Sequence, residues 1–129
     1  MRPFQELTVW QKAHLAVLDV YSTTAQFPSH EQYGLISQMR RSASSVPTNI
    51  AEGSVYDSGW QFYRYLGMAL ASSTELEYQL ILARDLNYIP ADVHRQLDKD
   101  LAEVKRMLVA FRKTQRPSSP TNSGPPTKS

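Results

Sequence analysis

The chain has 129 residues and a mass of 14.7 kDa, with 41% hydrophobic and 20% charged residues; that is one domain with enough apolar material for a core, and it excludes wholesale disorder. Cysteine is absent, which excludes disulfides, thiolate metal sites and a cysteine nucleophile, and no apolar run reaches the ~18 residues of a membrane span or the core of a secretory signal, so a cytosolic protein is the expectation. The net charge of +2 belongs to the last fifteen residues, where Arg116 and Lys128 meet no acid; without them 12 basic residues face 12 acidic ones, so only a local arrangement of cations can argue for nucleic acid.

Three breaks, Phe27-Pro28-Ser29, Gly53 to Ser58 and Asn87 to Pro90, divide residues 1–114 into four segments of helical length. The first places Trp10, Ala13, Val17, Tyr21 and Thr24 on one face. Ser29 and Gln32 then have the spacing of a capping box. The second segment repeats Ile36, Met39, Ala43, Val46 and Ile50 in steps of three and four. Pro47 lies inside it, and because the stripe continues to Ile50 the pattern predicts one kinked helix, not two. Gly53 stands where a left-handed residue closes a helix.

Ser58 and Gln61 repeat the capping-box spacing before the third segment, which runs Phe62, Leu66, Ala69, Ser73, Leu76, Leu80, Ala83. Asn87 is placed to close it in the left-handed conformation. Pro90 starts the fourth, where a missing amide costs nothing; its stripe is Leu97, Leu101, Val104, Leu108, Phe111. From Gln115 on, Pro117, Pro120, Pro125 and Pro126 alternate with Ser, Thr, Asn and Gly, which predicts a disordered tail over residues 115–129. Sustained three-four spacing with short connections predicts an all-α protein, an antiparallel up-down-up-down four-helix bundle.

The outer faces carry the functional signals. Opposite its core stripe the third helix shows Trp60, Gly67, Ala71, Tyr78 and Leu82, flanked by Arg64 and Glu75. A helix that is apolar all round needs cover, which points to a subunit interface through Trp60, Arg64, Gly67, Ala71, Tyr78 and Leu82. The second helix opposes its stripe with Gln38, Arg41, Ser45, Asn49 and Glu52, a polar strip suited to hydrogen bonding between helices or between subunits, or to an ordinary exposed face. On the fourth helix Arg95, Lys99, Arg106 and Lys113 fall in one narrow arc, flanked by Asp92, Asp98 and Glu103. Such a strip either tracks phosphates or is a solvated face.

Chemistry that bundles often host is missing. No Glu has His three residues later, so the di-metal carboxylate pattern is absent. His14, His30 and His94 lack ligand spacing, and His14 reads as a packed, hydrogen-bonded core residue. There is no phosphate loop, nucleophile elbow or His-Glu-x-x-His. Glu75 and Glu77 point to different helix faces. No enzyme, metal or cofactor is expected.

The run Gln38-Met39-Arg40-Arg41-Ser42-Ala43, followed by Ser45-Val46-Pro47-Thr48-Asn49-Ile50-Ala51-Glu52-Gly53, resembles the signature of the 23S ribosomal RNA intervening-sequence proteins, also known as bacterial four-helix bundle proteins. Leu7-Thr8-Val9-Trp10-Gln11-Lys12-Ala13 and Phe62-Tyr63-Arg64-Tyr65-Leu66, leading through Ala69, Ser73, Glu75, Leu76 and Glu77, fit in order. The resemblance covers about residues 4–112. It implies a homopentameric ring of four-helix bundles, and a distant similarity to the accessory variability determinants of diversity-generating retroelements, which bind nucleic acid and a reverse transcriptase through basic outer surfaces.

Together these readings predict a non-enzymatic homopentameric scaffold that binds structured RNA or another nucleic acid. Arg95, Lys99, Arg106 and Lys113 are the first candidates for phosphate contact, and Arg40 and Arg41 the second. Partners beyond self are then structured RNA or a nucleic-acid enzyme, and no membrane. The alternative is a protein–protein interaction module without nucleic-acid affinity.

Overall fold

Four amphipathic helices form where the apolar spacing places them: α1 (Thr8–Thr24), α2 (Leu35–Gly53), α3 (Gly59–Asp85) and α4 (Ala91–Thr114). The computed structural model describes residues 3–117. The expected tail starts where α4 stops, and its residues 118–129 lie outside the described residues. One-turn 3-10 helices at Phe4–Glu6 and Ser29–Glu31 precede α1 and α2, and the described residues contain no strand.

Each helix packs against its two neighbours in the cyclic order α1, α2, α3, α4, leaving α1 and α3 on one diagonal. Cross-links run in opposite sequence directions, as an antiparallel bundle requires. Arg40 reaches back to Thr24, Ser45 bonds Ser72 while Ser42 bonds Gln79, and Lys105 meets Glu77 while Arg112 meets Tyr63.

The core has two parts. One gathers Val20, Met39, Ala43, Leu76, Leu80 and Leu101, and the other Val9, Ala13, Ile50, Leu66, Val104 and Leu108. The stripes predicted for α2, α3 and α4 are these buried positions, with Phe62 and Phe111 half-buried and in edge contact, ring centroids 5.3 Å apart.

In α1 the predicted stripe is shifted. Val9, Ala13, Val17, Val20 and Thr24 are buried, while Trp10 is half-buried and Tyr21 exposed. The two rings lie at the rim. Trp10 contacts Phe4 and stacks on His14 at 5.1 Å, and Tyr21 lies under Arg40, 4.5 Å from its ring centre. His14 is therefore an exposed stacking partner and not a packed core residue.

The helix ends also differ from the pattern. Neither predicted capping box forms: Ser58 is the N-cap of α3 without a side-chain bond, and Ser29 lies in the 3-10 turn that precedes α2. Glu31 does the capping at α2, accepting the Leu35 N–H at 3.0 Å and the Tyr88 hydroxyl at 2.8 Å. Gly53 is not left-handed, since no described glycine has positive φ. It is the last residue of α2, buried, where a Cβ would stand 2.6 Å from Tyr65 Cβ. Close approach of α2 and α3, not backbone conformation, requires glycine there. Pro47 lies within a single α2, as its uninterrupted stripe predicts.

Asn87 does close α3, with φ 64°. Its N–H donates to Arg84 O and that of Tyr88 to Ala83 O, both at 2.9 Å, the paired bonds of a Schellman ending. Asn87→Gly should hold or slightly raise stability, whereas Asn87→Val should lower it by about 1–2 kcal/mol, because a β-branched residue resists positive φ. Urea unfolding of both variants checks this, and equal midpoints would contradict it.

The Leu35 N–H, and secondly the Tyr88 hydroxyl, hold the Glu31 carboxyl below its ordinary value of 4.5. A carboxylate with a lowered folded-state pKa stabilises the fold above its ordinary value and loses that contribution as pH falls through the lowered one. The stability gap between the native protein and Glu31→Gln should therefore be full at pH 7 and close as the pH drops below 4.5. Parallel stability–pH curves would contradict the assignment.

Candidate nucleic-acid interface

The four cations of the predicted α4 strip, Arg95, Lys99, Arg106 and Lys113, are all exposed. Helical geometry puts them within an arc of about 40° along about 27 Å, opposite buried Leu97, Leu101 and Leu108. Among the described residues none of the four pairs with a carboxylate.

Two nearby acids are engaged elsewhere. Glu103 meets Lys12 of α1 at 3.5 Å, and Asp100 accepts the Gln96 amide at 2.9 Å. Lys105, on the α3 side, is tied to Glu77 at 2.7 Å. Charge is thus sorted around α4: a free basic strip points outward, and toward α1 lies an acidic cleft of about 160 Å³ holding Asp19, Asp100 and Glu103. Burial, and secondly the nearby Asp100, raise the Asp19 carboxyl above its ordinary value. A polyanion meets attraction on one side of this helix and repulsion on the other.

The outward face of α3 is less open than its sequence implies. Arg64, Ala71 and Tyr78 are exposed, Tyr78 to 60%, but Trp60 is half-buried and Leu82 packs on the core. Gly67 is covered from within the chain: Arg112 of α4 lies over it, its Nη2 2.6 Å from where a Cβ would be. The same guanidinium sits 3.8 Å from the Tyr63 ring centre, and its Nε donates to Tyr63 O at 2.9 Å. The glycine makes room for that clamp within the chain. Sequence reasoning missed a second apolar exposure, Leu15 and Leu18 on α1, at 59% and 52%. Its signal was an α1 with apolar residues outside the core stripe.

The polar strip of α2 divides. Ser45 Oγ and Ser72 Oγ of α3 lie 2.8 Å apart, and the Asn49 amide donates to Ser45 O and Oγ at 2.8 and 3.0 Å. This half joins helices of one chain. Gln38, Arg41 and Glu52 are exposed. Arg41 and Glu52 stand about 16 Å apart along the helix axis, too far to pair within one chain.

Arg40 and Arg41 do not continue the α4 strip. They line a groove between α1 and α2, with a polar hollow of about 440 Å³ bounded by Tyr21, Tyr33, Ser37, Arg40, Arg41 and Ser44. Next to it, sharing Ser44, is an apolar hollow of about 380 Å³ floored by Phe4, Trp10, His14 and Pro47. The two arginines were legible as candidates; the groove was not, because it depends on how α1 is rotated against α2. Among the described residues no group of three His, Asp or Glu is placed to hold a metal ion, and no helix is long and apolar enough to cross a membrane.

Residues 5–110 match the family model of the 23S rRNA-intervening sequence protein. A crystal structure of a protein of unknown function from the S23 ribosomal protein family of Bacteroides thetaiotaomicron VPI-5482 has a similar fold, with a TM-score of 0.73 and 25% identity. The superposition covers 82% of this chain and 99% of that one. No curated protein matches this chain significantly.

Proposed function

The chain belongs to the 23S rRNA-intervening sequence protein family, and from that premise we propose that it is a non-enzymatic scaffold that self-assembles and presents its α4 basic strip to the phosphates of structured RNA. The observation that carries this reading is the alignment of Arg95, Lys99, Arg106 and Lys113, exposed and without an ion-pair partner among the described residues, on a body of balanced charge. In such a body, cations left unpaired along one line are a specific arrangement. Assembly into a ring would repeat the strip around the particle and multiply weak phosphate contacts. The exposed Leu15, Leu18, Ala71 and Tyr78 are apolar surface for contacts between copies.

Two measurements test the proposal. Light scattering of the intact protein should give a particle of about 74 kDa, five times the chain mass of 14.7 kDa; a clean monomer contradicts the ring. Titration of a labelled structured RNA at ~50 and ~200 mM salt should show affinity falling with a logarithmic slope near −3, as four phosphate contacts imply. RNA binding indifferent to salt contradicts the basic-strip reading, and absent RNA binding contradicts it and favours a protein partner.

A further inference from the structure

We infer that the polar hollow between α1 and α2 is a binding site for a single unpaired nucleotide, its base stacked on Tyr33 and its phosphate held by Arg41 and Arg40. The inference deepens the nucleic-acid reading and concerns a different face from the α4 strip. It starts from an anomaly. Tyr33, in the turn before α2, is 95% exposed, whereas a large ring ordinarily hides its apolar faces. Among the described residues its ring stacks on no other.

Arg40 is held in place before any ligand arrives. Its Nε donates to Thr24 Oγ1 at 2.9 Å and its Nη2 to Tyr21 O at 3.2 Å, with the guanidinium over the Tyr21 ring. Thr24 is fully buried, so the anchor is rigid, while Nη1 of Arg40 makes no hydrogen bond to a described residue. Arg41, one position on, is exposed and unpaired. Ser37 and Ser44 line the same hollow one turn to either side and supply hydroxyls for a sugar or phosphate.

A free aromatic face, two guanidinium groups and hydroxyls around about 440 Å³ match the three chemical parts of one nucleotide. Aromatic stacking selects unpaired bases, because a paired base has no free face to offer. An inorganic anion would use the arginines and leave Tyr33 without a purpose.

The test titrates the full-length protein by calorimetry with adenosine 5′-monophosphate, with a single-stranded oligoadenylate tetranucleotide and with a fully paired RNA duplex. The expected result is saturable binding of at least one single-stranded probe, weakened about tenfold by Tyr33→Ala, weakened by Arg41→Ala, and kept by Tyr33→Phe. Duplex affinity should not change in Tyr33→Ala. Binding of the mononucleotide identifies a site for free nucleotides; binding of the tetranucleotide alone identifies a site for an unpaired residue within a strand. No saturable binding of either, or equal binding by Tyr33→Ala, overturns the inference. Failure of the α4 reading looks different, because it appears as missing duplex affinity whatever the single-stranded probes do.

Discussion

Replacing Arg95, Lys99, Arg106 and Lys113 together by Glu should lower affinity for a structured RNA by at least ~100-fold at ~50 mM salt. If the strip meets phosphates as proposed, each substitution removes one contact and places a repelling charge on the same helix face, so the loss exceeds that of four neutral replacements. Folding should survive, because all four side chains are exposed and carry no carboxylate partner. The helix dipole acts on the two ends in opposite directions: a carboxylate is favourable at position 95, near the start of α4, and unfavourable at position 113, in its last turn. A thermal midpoint close to that of the native protein, with RNA binding gone, is the expected pair of results. Unchanged affinity in a folded variant would remove α4 from the interface.

Gly53→Val should destabilise the bundle by about 3 kcal/mol or more, with Gly53→Ala losing about 1–3 kcal/mol. Alanine ordinarily improves a helix by up to ~1 kcal/mol over glycine. Here its methyl would meet Tyr65 Cβ at 2.6 Å and Phe62 Cδ1 at 2.8 Å. Phe62 can turn its ring, but Tyr65 Cβ moves only with the backbone of α3. The α2–α3 contact must therefore open, and this is the contact that also aligns Ser45 with Ser72 and Ser42 with Gln79. For a domain of this size the valine variant should melt roughly 10 °C lower. An alanine variant as stable as the native protein would show that α2 and α3 are less closely packed than described.

The fold was legible because three of four helices carry clean stripes. Ile36, Met39, Ala43, Val46 and Ile50 are buried as their spacing requires, and Asn87 closes α3 with the positive φ that its type tolerates. The first helix was misread because its aromatic residues drew the stripe toward Trp10 and Tyr21, while the smaller Val9 and Val20 fill the interior. Gly53 and Gly67 were both legible as unusual positions, but spacing cannot say what lies beside a glycine. Tyr65 and Phe62 crowd the one, and Arg112 the other. The α4 strip could be drawn from periodicity alone, because it lies on one helix. The α1–α2 hollow joins Tyr21, Tyr33, Arg40 and Arg41 across two elements, and its existence depends on their packing.

Lysine footprinting tests the central claim most directly. The intact protein is treated with an amine-acylating reagent, with and without saturating structured RNA, and each lysine is followed by peptide mass. Lys99 and Lys113 lie in the strip, while Lys12 and Lys105 are held by Glu103 and Glu77 and serve as internal controls. The basic-strip account predicts that RNA slows modification of Lys99 and Lys113 and leaves Lys12 and Lys105 at their original rates. RNA binding with no protection at Lys99 and Lys113 would contradict it.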